Sequence, residues 1–369
     1  MIAVVLGTRP ELIKTAPIIH ELARRGSPFA LIHTGQHYTP ALDEIFFRDL
    51  ELPPPAVNLH VGSLPAAHQV ARILTGVSDA LEQLKPRIVL VQGDTNSVLG
   101  GALAAHKLSI PLAHLEAGLR SDDWTMPEEG NRVLAGRVAA LHFCPTELQA
   151  ARLAGEGILH GVHVVGNTIV DASLRFAARS LEISTIFERL ELGGRPYALV
   201  TMHRPSNVDD PQRLAALLDA LATMARERGL ELVFPVHPRT REKIRAFGLE
   251  SKLAAPFRPI EPLGYIDLLR LLRGTEVALT DSGGVQEEAC TLHVPCVTLR
   301  PNTERPETVG VGANALCDEA DAGRIGAFVD DMREAPRDWK NPFGDGHTSE
   351  RVVDILLNPR TRLAPSGAP

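Results

Sequence analysis

Three acidic residues in the first half of the chain lie at or shortly after the ends of predicted strands. Asp94 follows the apolar run 88–91, and Glu116 follows the apolar run 110–115. Glu128 comes shortly afterwards. Acids that directly follow buried strands more often serve a site than the sheet, because strand ends carry the ligand-facing loops. The placement therefore predicts that Asp94 and Glu116 belong to a functional site.

Glu128 also fits a purely structural interpretation. Thr125 and Glu128 have the spacing of a capping box at a helix start. Glu128 and Arg132 have the i,i+4 spacing of an ion pair on one helix face. Either arrangement would use this carboxylate for the helix instead of a substrate, so both interpretations stay open.

A turn in the second half predicts a phosphate site. Residues 277–289 have the pattern of a buried strand, a turn of small residues and a helix. Free N–H groups and the helix dipole meet at such a turn and favour an anion. Glu287 and Glu288 in the first helical turn either compensate the dipole or accept hydrogen bonds from ribose hydroxyls. The turn consists of Asp281, Ser282, Gly283 and Gly284.

The N-terminal segment predicts a second ligand-facing turn. Residues 2–6 form an apolar run that ends in Gly-Thr-Arg-Pro, and apolar residues at helical spacing follow. Arg9 in this turn and Lys14 on the helix could meet a diphosphate, or both could be solvated. His33 and His37 could form a metal pair, but the sequence nearby offers no third ligand. We therefore expect a polar loop and no metal.

Polar residues also follow the strands predicted in the second half. His203 comes after the apolar run 197–202, and His237 comes after the run 232–236. Arg305 lies in a segment with two arginines that follows another strand. Such groups could contact a phosphate-bearing ligand.

The order of these segments predicts the fold class. Apolar runs alternate with helical patterns throughout, and continuous apolar strands are typical of parallel sheets buried on both faces. A length of 369 residues suggests two domains. We therefore predict two Rossmann-like, doubly wound α/β domains that face each other across a cleft. The predicted divisions are residues 1–180, residues 181–350, and a C-terminal helix and tail at 351–369.

Composition narrows the class of protein. Hydrophobic residues make up 44% and charged residues 22%, the balance of a soluble globular enzyme. The net charge of −7, from 38 basic and 45 acidic residues, argues against a nucleic-acid partner. No stretch approaches a membrane span, and the N-terminal apolar run is too short for a signal sequence. Four cysteines without zinc-like spacing predict buried thiols and a cytoplasmic location.

Eight segments, in order and across most of the chain, resemble the non-hydrolysing UDP-N-acetylglucosamine 2-epimerases. This resemblance implies the GT-B fold and interconversion of UDP-N-acetylglucosamine and UDP-N-acetylmannosamine, without a metal or other cofactor. It also implies a homodimer and a role in cell-envelope polysaccharide synthesis. The segments are Gly7-Thr-Arg-Pro-Glu, Thr34-Gly-Gln-His, Gln92-Gly-Asp-Thr-Asn, His114-Leu-Glu-Ala-Gly-Leu-Arg, Met126-Pro-Glu-Glu-Gly-Asn-Arg, Thr201-Met-His-Arg, Thr280-Asp-Ser-Gly-Gly-Val-Gln-Glu-Glu and Thr303-Glu-Arg-Pro-Glu.

The resemblance implies a role for each matching residue. The nucleotide diphosphate or its surroundings would involve Arg9, His203 and Arg305. Phosphate would lie on Ser282, Gly283 and Gly284, with the ribose on Glu288. The sugar would be lined by Asp94, Glu116, Glu128 and Arg132, and Lys14 also matches the family pattern.

Enzymes of this family eliminate UDP across C1 and C2 of the sugar and add it back after protonation on the other face. Such chemistry needs a base and an acid on opposite faces, and cations or N–H dipoles at the leaving diphosphate. We favour Glu116 or Asp94 as the base at C2, with Glu128 as its pair.

The chain also departs from one branch of the family. That branch has His-Arg-Arg-Glu-Asn where this chain has His203-Arg-Pro-Ser-Asn207, and Gln-His-x-x-Met where this chain has Gln36-His-Tyr-Thr-Pro. In that branch both segments help to bind a second, activating UDP-N-acetylglucosamine, so we expect no such activation here. Alternatives to the main interpretation are an epimerase of a UDP-2,3-diacetamido uronic acid, a GT-B UDP-sugar glycosyltransferase, a hydrolysing epimerase and a non-catalytic nucleotide-sugar sensor.

Overall fold

The computed structural model describes residues 1–36 and 40–358, with backbone alone for 40–44, and it divides into two compact units. Unit 1 contains residues 1–172 and the segment from Phe343 onward, and unit 2 contains residues 173–342. The observed divisions therefore fall at 172 and 342, whereas the sequence pattern suggested 180 and 350. The first division lies inside a helix, where the apolar pattern does not change. Each unit is described by itself below.

Unit 1 is built on a parallel sheet. Within the described residues this sheet has seven strands in the order β3-β2-β1-β4-β5-β6-β7. Helices connect successive strands, as predicted for a doubly wound unit. In chain order the elements are β1 Ile2–Leu6, α1 Arg9–Arg24, β2 Phe29–His33, α2 Pro40–Asp49, β3 Val57–Asn58, α3 Ala66–Leu84, β4 Ile88–Gln92, α4 Asn96–Lys107, β5 Leu112–Leu115, α5 Pro127–Val138, β6 Leu141–Cys144, α6 Glu147–Gly155, β7 Val162–Val164 and α7 Thr168–Ile183.

The central strands of unit 1 form because both of their faces are covered. All five residues of β1 are buried, and so are all five of β4. Small residues then let helices pack closely. A Cβ added at Gly100 of α4 would lie 2.5 Å from a side-chain carbon of Ile73 on α3. The residues that follow β1, β4 and β5 are thereby held at one edge of a rigid sheet.

Unit 2 repeats this architecture with a smaller sheet. Its described residues form six parallel strands in the order β10-β9-β8-β11-β12-β13. A short 3₁₀ helix at Glu250–Leu253 precedes β10. In chain order the elements are α8 Ile186–Arg189, β8 Tyr197–Thr201, α9 Pro205–Val208, α10 Pro211–Arg228, β9 Glu231–Pro235, α11 Pro238–Ala246, β10 Phe257–Ile260, α12 Tyr265–Gly274, β11 Val277–Thr280, α13 Gly283–Thr291, β12 Cys296–Thr298, α14 Pro306–Gly310, β13 Asn314–Leu316 and α15 Ala322–Glu334.

Helix α10 shows how local sequence sets the boundaries of a helix in unit 2. Asp210 accepts hydrogen bonds from the backbone N–H groups of Gln212 and Arg213 and so caps the first turn. Gly229 ends the helix with a φ of +63°, a left-handed conformation that favours glycine. Buried leucines between these caps pack α10 against the sheet core.

The chain returns to unit 1 for its last described helix, α16 (Thr348–Leu357). The Asp171 carboxylate accepts hydrogen bonds from the backbone N–H of Thr348 and from both the N–H and hydroxyl of Ser349. Arg25 of α1 pairs with Asp354 of α16 at 2.5 Å. These contacts explain why α16 belongs to unit 1, although the sequence pattern suggested a separate C-terminal segment. The predicted tail beyond residue 358 lies outside the described residues.

Two features bear on the surroundings of the chain. None of the helices in the described ranges is both long enough and apolar enough to cross a membrane. The four cysteines all lie in described segments, where they are buried and form no disulfide. Burial raises the pKa of the Cys144 and Cys296 thiols to about 12, which makes them poor nucleophiles.

Candidate active site

In unit 1, three neighbouring strands carry the candidate residues to one edge of the sheet. β4 pairs with β1 on one side and with β5 on the other, and Gln92 lies opposite Leu115. The residues that immediately follow these strands therefore lie side by side. The structure brings together the β1–α1 turn, Asp94 and Glu116.

Glu116 is held by donors from three other segments. Its Oε1 accepts hydrogen bonds from Lys14 Nζ at 2.5 Å and from Asn167 Nδ2 at 2.8 Å. Its Oε2 accepts one from Gln92 Nε2. The backbone of Glu116 is left-handed, with a φ of +59°. A non-glycine residue adopts this conformation at an energetic cost and typically at functional sites, where neighbouring groups hold it.

Asp94 is oriented by an arginine from α5. Arg132 donates from Nε at 2.9 Å and from Nη2 at 2.6 Å, both to Oδ2 of Asp94. Burial raises the pKa of Asp94 despite the Arg132 charge, and the nearby carboxylates Glu116 and Glu128 raise it further. Asp94 therefore holds a proton more readily than an ordinary aspartate.

The structure assigns the helix-supporting role to Glu129, which the sequence analysis did not single out. Its buried carboxylate accepts hydrogen bonds from the backbone N–H and the hydroxyl of Ser121, and from Arg132 Nη1 at 2.7 Å. Although burial acts in the opposite direction, these hydrogen bonds lower the pKa of Glu129. Glu129 thus anchors both the loop before α5 and the arginine that contacts Asp94.

Neither structural arrangement suggested for Glu128 is present. Thr125 donates to Asp123 instead of taking part in a capping box, and the arginine expected at i,i+4 pairs with Glu129 and Asp94. Glu128 is half-buried and makes no hydrogen bond or ion pair with any residue in the described ranges. Its carboxylate is therefore available to a ligand.

A buried glutamate supports the Gly-Thr-Arg-Pro turn. Glu11 Oε2 accepts the backbone N–H groups of Gly7 and Thr8 at 2.7 and 2.8 Å, and its Oε1 accepts the Thr95 hydroxyl at 2.5 Å. Burial raises the pKa of Glu11 from 4.5 to about 7, although these hydrogen bonds oppose the shift. The Thr-x-x-Glu spacing of a capping box was a signal for this role that the sequence analysis did not use.

Arg9 and Lys14, both expected near a diphosphate, have different surroundings in unit 1. The Arg9 guanidinium carbon lies 5.3 Å from the centroid of the Phe46 ring. Lys14 is buried, and its ammonium pairs with the Glu116 carboxylate. The structure therefore connects Lys14 to the candidate base.

In unit 2, adjacent strands β8 and β11 present the second group of candidate residues. Thr201 lies opposite Thr280 in the parallel pairing. His203 and Ser282 each come two residues after this pair, so they leave the sheet at corresponding positions. Asp281, which directly follows β11, connects the two segments. Its buried carboxylate accepts hydrogen bonds from the backbone N–H groups of His203 and Arg204. From the sequence, Asp281 was assigned only to the turn before the predicted helix.

The start of α13 has the free N–H groups expected of an anion site. The Ser282 N–H donates to Thr280 Oγ1, and the Ser282 side chain does not cap the helix. The N–H groups of Gly283, Gly284 and Val285 find no acceptor among the described residues. Three N–H donors at the positive end of a helix dipole favour an anion.

The backbone conformation of this turn does not require a glycine at either position. Neither Gly283 nor Gly284 has a positive φ. A Cβ at Gly284 would lie 3.8 Å from its nearest described atom, the Ser282 hydroxyl oxygen, and one at Gly283 would lie 3.9 Å from Glu304. The protein therefore leaves space at these positions that a ligand could occupy.

The two glutamates of α13 have different partners. Glu287 is buried and pairs with Arg305 Nε. Arg305 is thus oriented by a carboxylate of its own unit. Glu288 is also buried, and its charge raises the pKa of the buried Tyr265, for which burial is the larger cause. Both glutamates sit one helical turn inside the α13 start.

His237 caps α11, and its ring lies next to that of His203. Its Nδ1 accepts the backbone N–H of Arg239 at 3.2 Å. The neutral His237 ring therefore carries its hydrogen on Nε2. The ring centroids of His203 and His237 are 5.3 Å apart with an interplanar angle of 34°. The structure thus brings together the two histidines that follow the paired strands β8 and β9.

His33 is one of the two histidines that could form a metal pair. Among the described residues, no group of three or more His, Cys, Asp or Glu side chains is arranged to hold a metal ion. Burial lowers the pKa of His33 to about 4. The ring of His33 meets the ring of Phe47 edge-on at 5.6 Å. His37 lies outside the described residues.

These observations define a class of protein and then a family. Two doubly wound, Rossmann-like units, each with polar groups at the carboxyl ends of its strands, place the chain in the GT-B class of α/β proteins. The family model described as UDP-N-acetylglucosamine 2-epimerase matches residues 20–357. The chain belongs to this family.

Individual relatives agree with the family assignment. The chain is 45% identical over 361 residues to the UDP-N-acetylglucosamine 2-epimerase of Methanocaldococcus jannaschii, covering 96% of this chain and 98% of that protein. It is 44% identical to the Methanococcus maripaludis enzyme of the same name, with 96% and 98% covered. A crystal structure of the M. jannaschii enzyme in complex with UDP-GlcNAc and UDP matches with a TM-score of 0.88 at 45% identity, covering 96% and 99% of the two chains.

Proposed function

We propose that this protein is a non-hydrolysing epimerase that interconverts UDP-N-acetylglucosamine and UDP-N-acetylmannosamine. The observation that carries the proposal is the Glu116 carboxylate. It follows β5 in a left-handed conformation, pairs with Lys14 at 2.5 Å, and shares its strand edge with Asp94. A carboxylate on a strained backbone, at the same sheet edge as a second carboxylate of raised pKa, is an arrangement suited to moving a proton.

In the proposed reaction, a carboxylate of unit 1 takes the proton from C2 of the sugar. The electrons of the C2–H bond form a C1–C2 double bond, and the C1–oxygen bond breaks to release UDP. The elimination then runs in reverse. A proton is added to the other face of C2, and the UDP oxygen bonds to C1 again. Base and acid exchange roles when the reaction runs backward.

We assign these two roles to Glu116 and Asp94. Their environments differ, since the Lys14 ammonium contacts Glu116 whereas burial raises the pKa of Asp94. Pairs of carboxylates in contrasting environments are suited to act as base and acid. Glu128 would contact the sugar, because it has no hydrogen-bonding partner among the described residues. Arg132 would orient Asp94 and Lys14 would orient Glu116.

Unit 2 would hold the nucleotide. The N–H groups at the start of α13, together with Ser282, would bind phosphate, and Glu288 would accept hydrogen bonds from the ribose. His203 would stabilise the charge that develops on the leaving diphosphate. His237, beside His203, would contribute to the same anion site. Arg9 of unit 1 would add a further cation, and Arg305 would support the site through Glu287.

Proton NMR in deuterium oxide with UDP-N-acetylglucosamine alone tests this function. We expect UDP-N-acetylmannosamine that carries deuterium at C2, because the returned proton comes from a group that exchanges with water. Product that keeps its original hydrogen at C2 would contradict the mechanism.

The same experiment separates the alternatives. A glycosyltransferase would give no epimer without an acceptor, a hydrolysing epimerase would release free N-acetylmannosamine, and a sensor would bind without turnover. Turnover of a UDP-2,3-diacetamido uronic acid in preference to UDP-N-acetylglucosamine would change the assigned sugar and leave the reaction class intact.

We further propose a cytoplasmic homodimer. Membership in the family and the unbridged thiols support this assignment. Sedimentation velocity at micromolar protein should give a single species with twice the mass of the chain. A monomer at that concentration would contradict the dimer, and recovery of the protein outside the cytoplasmic fraction of its cells would contradict the location.

A further inference from the structure

Asp281 forms an unusually complete set of contacts for a residue outside the predicted reaction. It directly follows β11, and its side chain is fully buried. Its Oδ2 accepts hydrogen bonds from the backbone N–H groups of His203 and Arg204, both at 2.9 Å, and from Asn207 Nδ2 at 3.2 Å. The carboxylate therefore anchors the whole loop that follows β8.

The other carboxylate oxygen contacts the His203 ring. Asp281 Oδ1 lies 3.2 Å from His203 Nδ1. An ionised carboxylate can only accept a hydrogen bond, so Nδ1 must carry the hydrogen. Although burial opposes it, the hydrogen bonds and charge of His203 lower the pKa of Asp281, which therefore stays ionised.

We propose that Asp281 is the positioning residue of His203. Its carboxylate holds the ring in the Nδ1–H tautomer and leaves Nε2 as the nitrogen available to a ligand. The consequence for the reaction rests on the proposed function, in which His203 faces the UDP diphosphate. A proton carried on Nε2 would reach the leaving diphosphate while the Asp281 carboxylate balances the charge on the ring.

Asp210 provides a matched structural control in the same unit. It also accepts two backbone N–H groups at the start of a helix. It contacts no histidine ring among the described residues, and its role is that of a helix cap. Substitution of Asp210 should therefore affect stability without changing any histidine tautomer.

The geometry predicts a specific outcome for Asp281→Asn. Three donors converge on Oδ2, and only one of them, the His203 backbone N–H, also reaches Oδ1, at 3.0 Å; the oxygen of the new amide should therefore occupy the Oδ2 position and keep the loop anchored. The amide NH₂ must then replace Oδ1 and face His203 Nδ1. Because NH₂ donates and does not accept, the ring should change to the Nε2–H tautomer.

NMR of the full-length protein labelled with ¹⁵N-histidine tests this proposal without substrate. His203→Gln assigns the His203 signals. In the wild type, we expect His203 to carry hydrogen on Nδ1 and neutral His237 to carry it on Nε2, which gives an internal reference. Asp281→Asn should move the His203 hydrogen to Nε2, and Asp210→Asn should not.

Two results would overturn the proposal. One is a wild-type His203 whose Nδ1 bears no hydrogen, a measurement that needs no Asp281 variant and so does not depend on how that variant folds. The other is an unchanged His203 tautomer in folded Asp281→Asn.

Kinetics then test the consequence for the reaction. We expect Asp281→Asn to lower kcat by about 10- to 100-fold, by analogy with the loss of the outer hydrogen-bond partner of a metal-bound imidazole, with KM changed less than threefold. Asp210→Asn should retain both constants. Unchanged kcat alongside the expected tautomer change would overturn the role in the reaction. A wild type without epimerase activity would instead refute the proposed function and leave the tautomer result standing.

Discussion

Asp94 and Arg132 meet through a single carboxylate oxygen. Both Nε and Nη2 of Arg132 donate to Oδ2, and Oδ1 accepts no hydrogen bond from a described residue. Since 30% of the Asp94 side chain is exposed, the free oxygen can reach a ligand. The arginine therefore does more than neutralise a charge, because its planar fork determines which oxygen of Asp94 remains available.

The first prediction concerns this fork. Arg132→Lys keeps the positive charge but cannot make two parallel hydrogen bonds. We expect kcat to fall by about 10- to 100-fold, since misplacement by about 1 Å can cost about 10²-fold. Initial rates of epimerisation measure the effect. Arg137→Lys, an exposed substitution on the same helix, should retain the wild-type rate. A rate within twofold of wild type for Arg132→Lys would show that charge alone suffices.

The second prediction concerns the carboxylates. Glu116→Gln and Asp94→Asn keep the shape of each side chain and remove its ability to exchange a proton. Turnover should fall by about 10²- to 10⁴-fold, with UDP affinity nearly unchanged. Kinetics and calorimetric titration with UDP measure the two effects. Asp123→Asn, an exposed substitution in the neighbouring loop, is the control. Wild-type turnover in both variants would remove the support for this pair.

The third prediction concerns pH. The pKa of Glu11 is raised from 4.5 to about 7, so protonation favours the folded state. This stabilisation is complete below about pH 4.5 and is lost as the pH rises through about 7. Glu11→Gln cannot ionise, and its amide can satisfy the same partners. The variant should therefore gain stability relative to the wild type across this window, by about 3 kcal/mol in total.

Urea unfolding from pH 4.5 to 8 measures this difference. Glu21→Gln, on the same helix, is the control because Arg24 lowers the pKa of Glu21. Its effect on the free energy of unfolding should be nearly constant above pH 4.5. A Glu11→Gln difference that also stays constant would contradict the raised pKa of Glu11.

The fourth prediction compares two glycines. Gly284→Val should bind UDP more weakly yet fold, because the nearest described atom to an added Cβ lies 3.8 Å away. Gly7→Ala should fold less stably but retain its affinity for UDP, because the added Cβ would lie 1.9 Å from Thr34 Oγ1. We expect Gly7→Ala to lower the melting temperature and Gly284→Val to reduce the thermal stabilisation by UDP. Wild-type UDP affinity in folded Gly284→Val would mean that the nucleotide binds elsewhere.

The fifth prediction concerns regulation. The segments that bind an activating sugar in one branch of the family differ in this chain. The rate should therefore rise hyperbolically with UDP-N-acetylglucosamine, and the reverse reaction should begin without it. Steady-state kinetics in both directions measure this. A sigmoidal curve, or a reverse reaction that waits for added UDP-N-acetylglucosamine, would show that a second site exists.

The sequence was sufficient to predict the long, continuously apolar strands. Residues 2–6 and 277–280 coincide with observed strands, and 88–91 differs by one residue at its end. Burial on both faces makes such strands uniformly apolar, so their signal is strong. The pair Val57–Asn58 has no such pattern, because a two-residue edge strand needs no apolar face.

Contacts between distant segments limited the prediction of the site. The strand-end rule identified Asp94 and Glu116 because it depends only on local order. The assignment of the α5 glutamates depended on whether Arg132 pairs within its helix or also reaches Asp94, which is 38 residues away. Asp281 was missed for the same reason, because its partners lie 77 and 78 residues earlier.

The return of the chain to unit 1 has a consequence for protein engineering. Unit 2 is one uninterrupted insertion into unit 1, and the Asn167 N–H donates to Phe343 O at 2.7 Å near the two crossing points. A short glycine linker from residue 172 to residue 343 should therefore yield unit 1 as an independent protein. Truncation after residue 342 should instead remove α16 from its packing partner α1. Deleting the last helix would then damage the half of the molecule that begins at the opposite terminus.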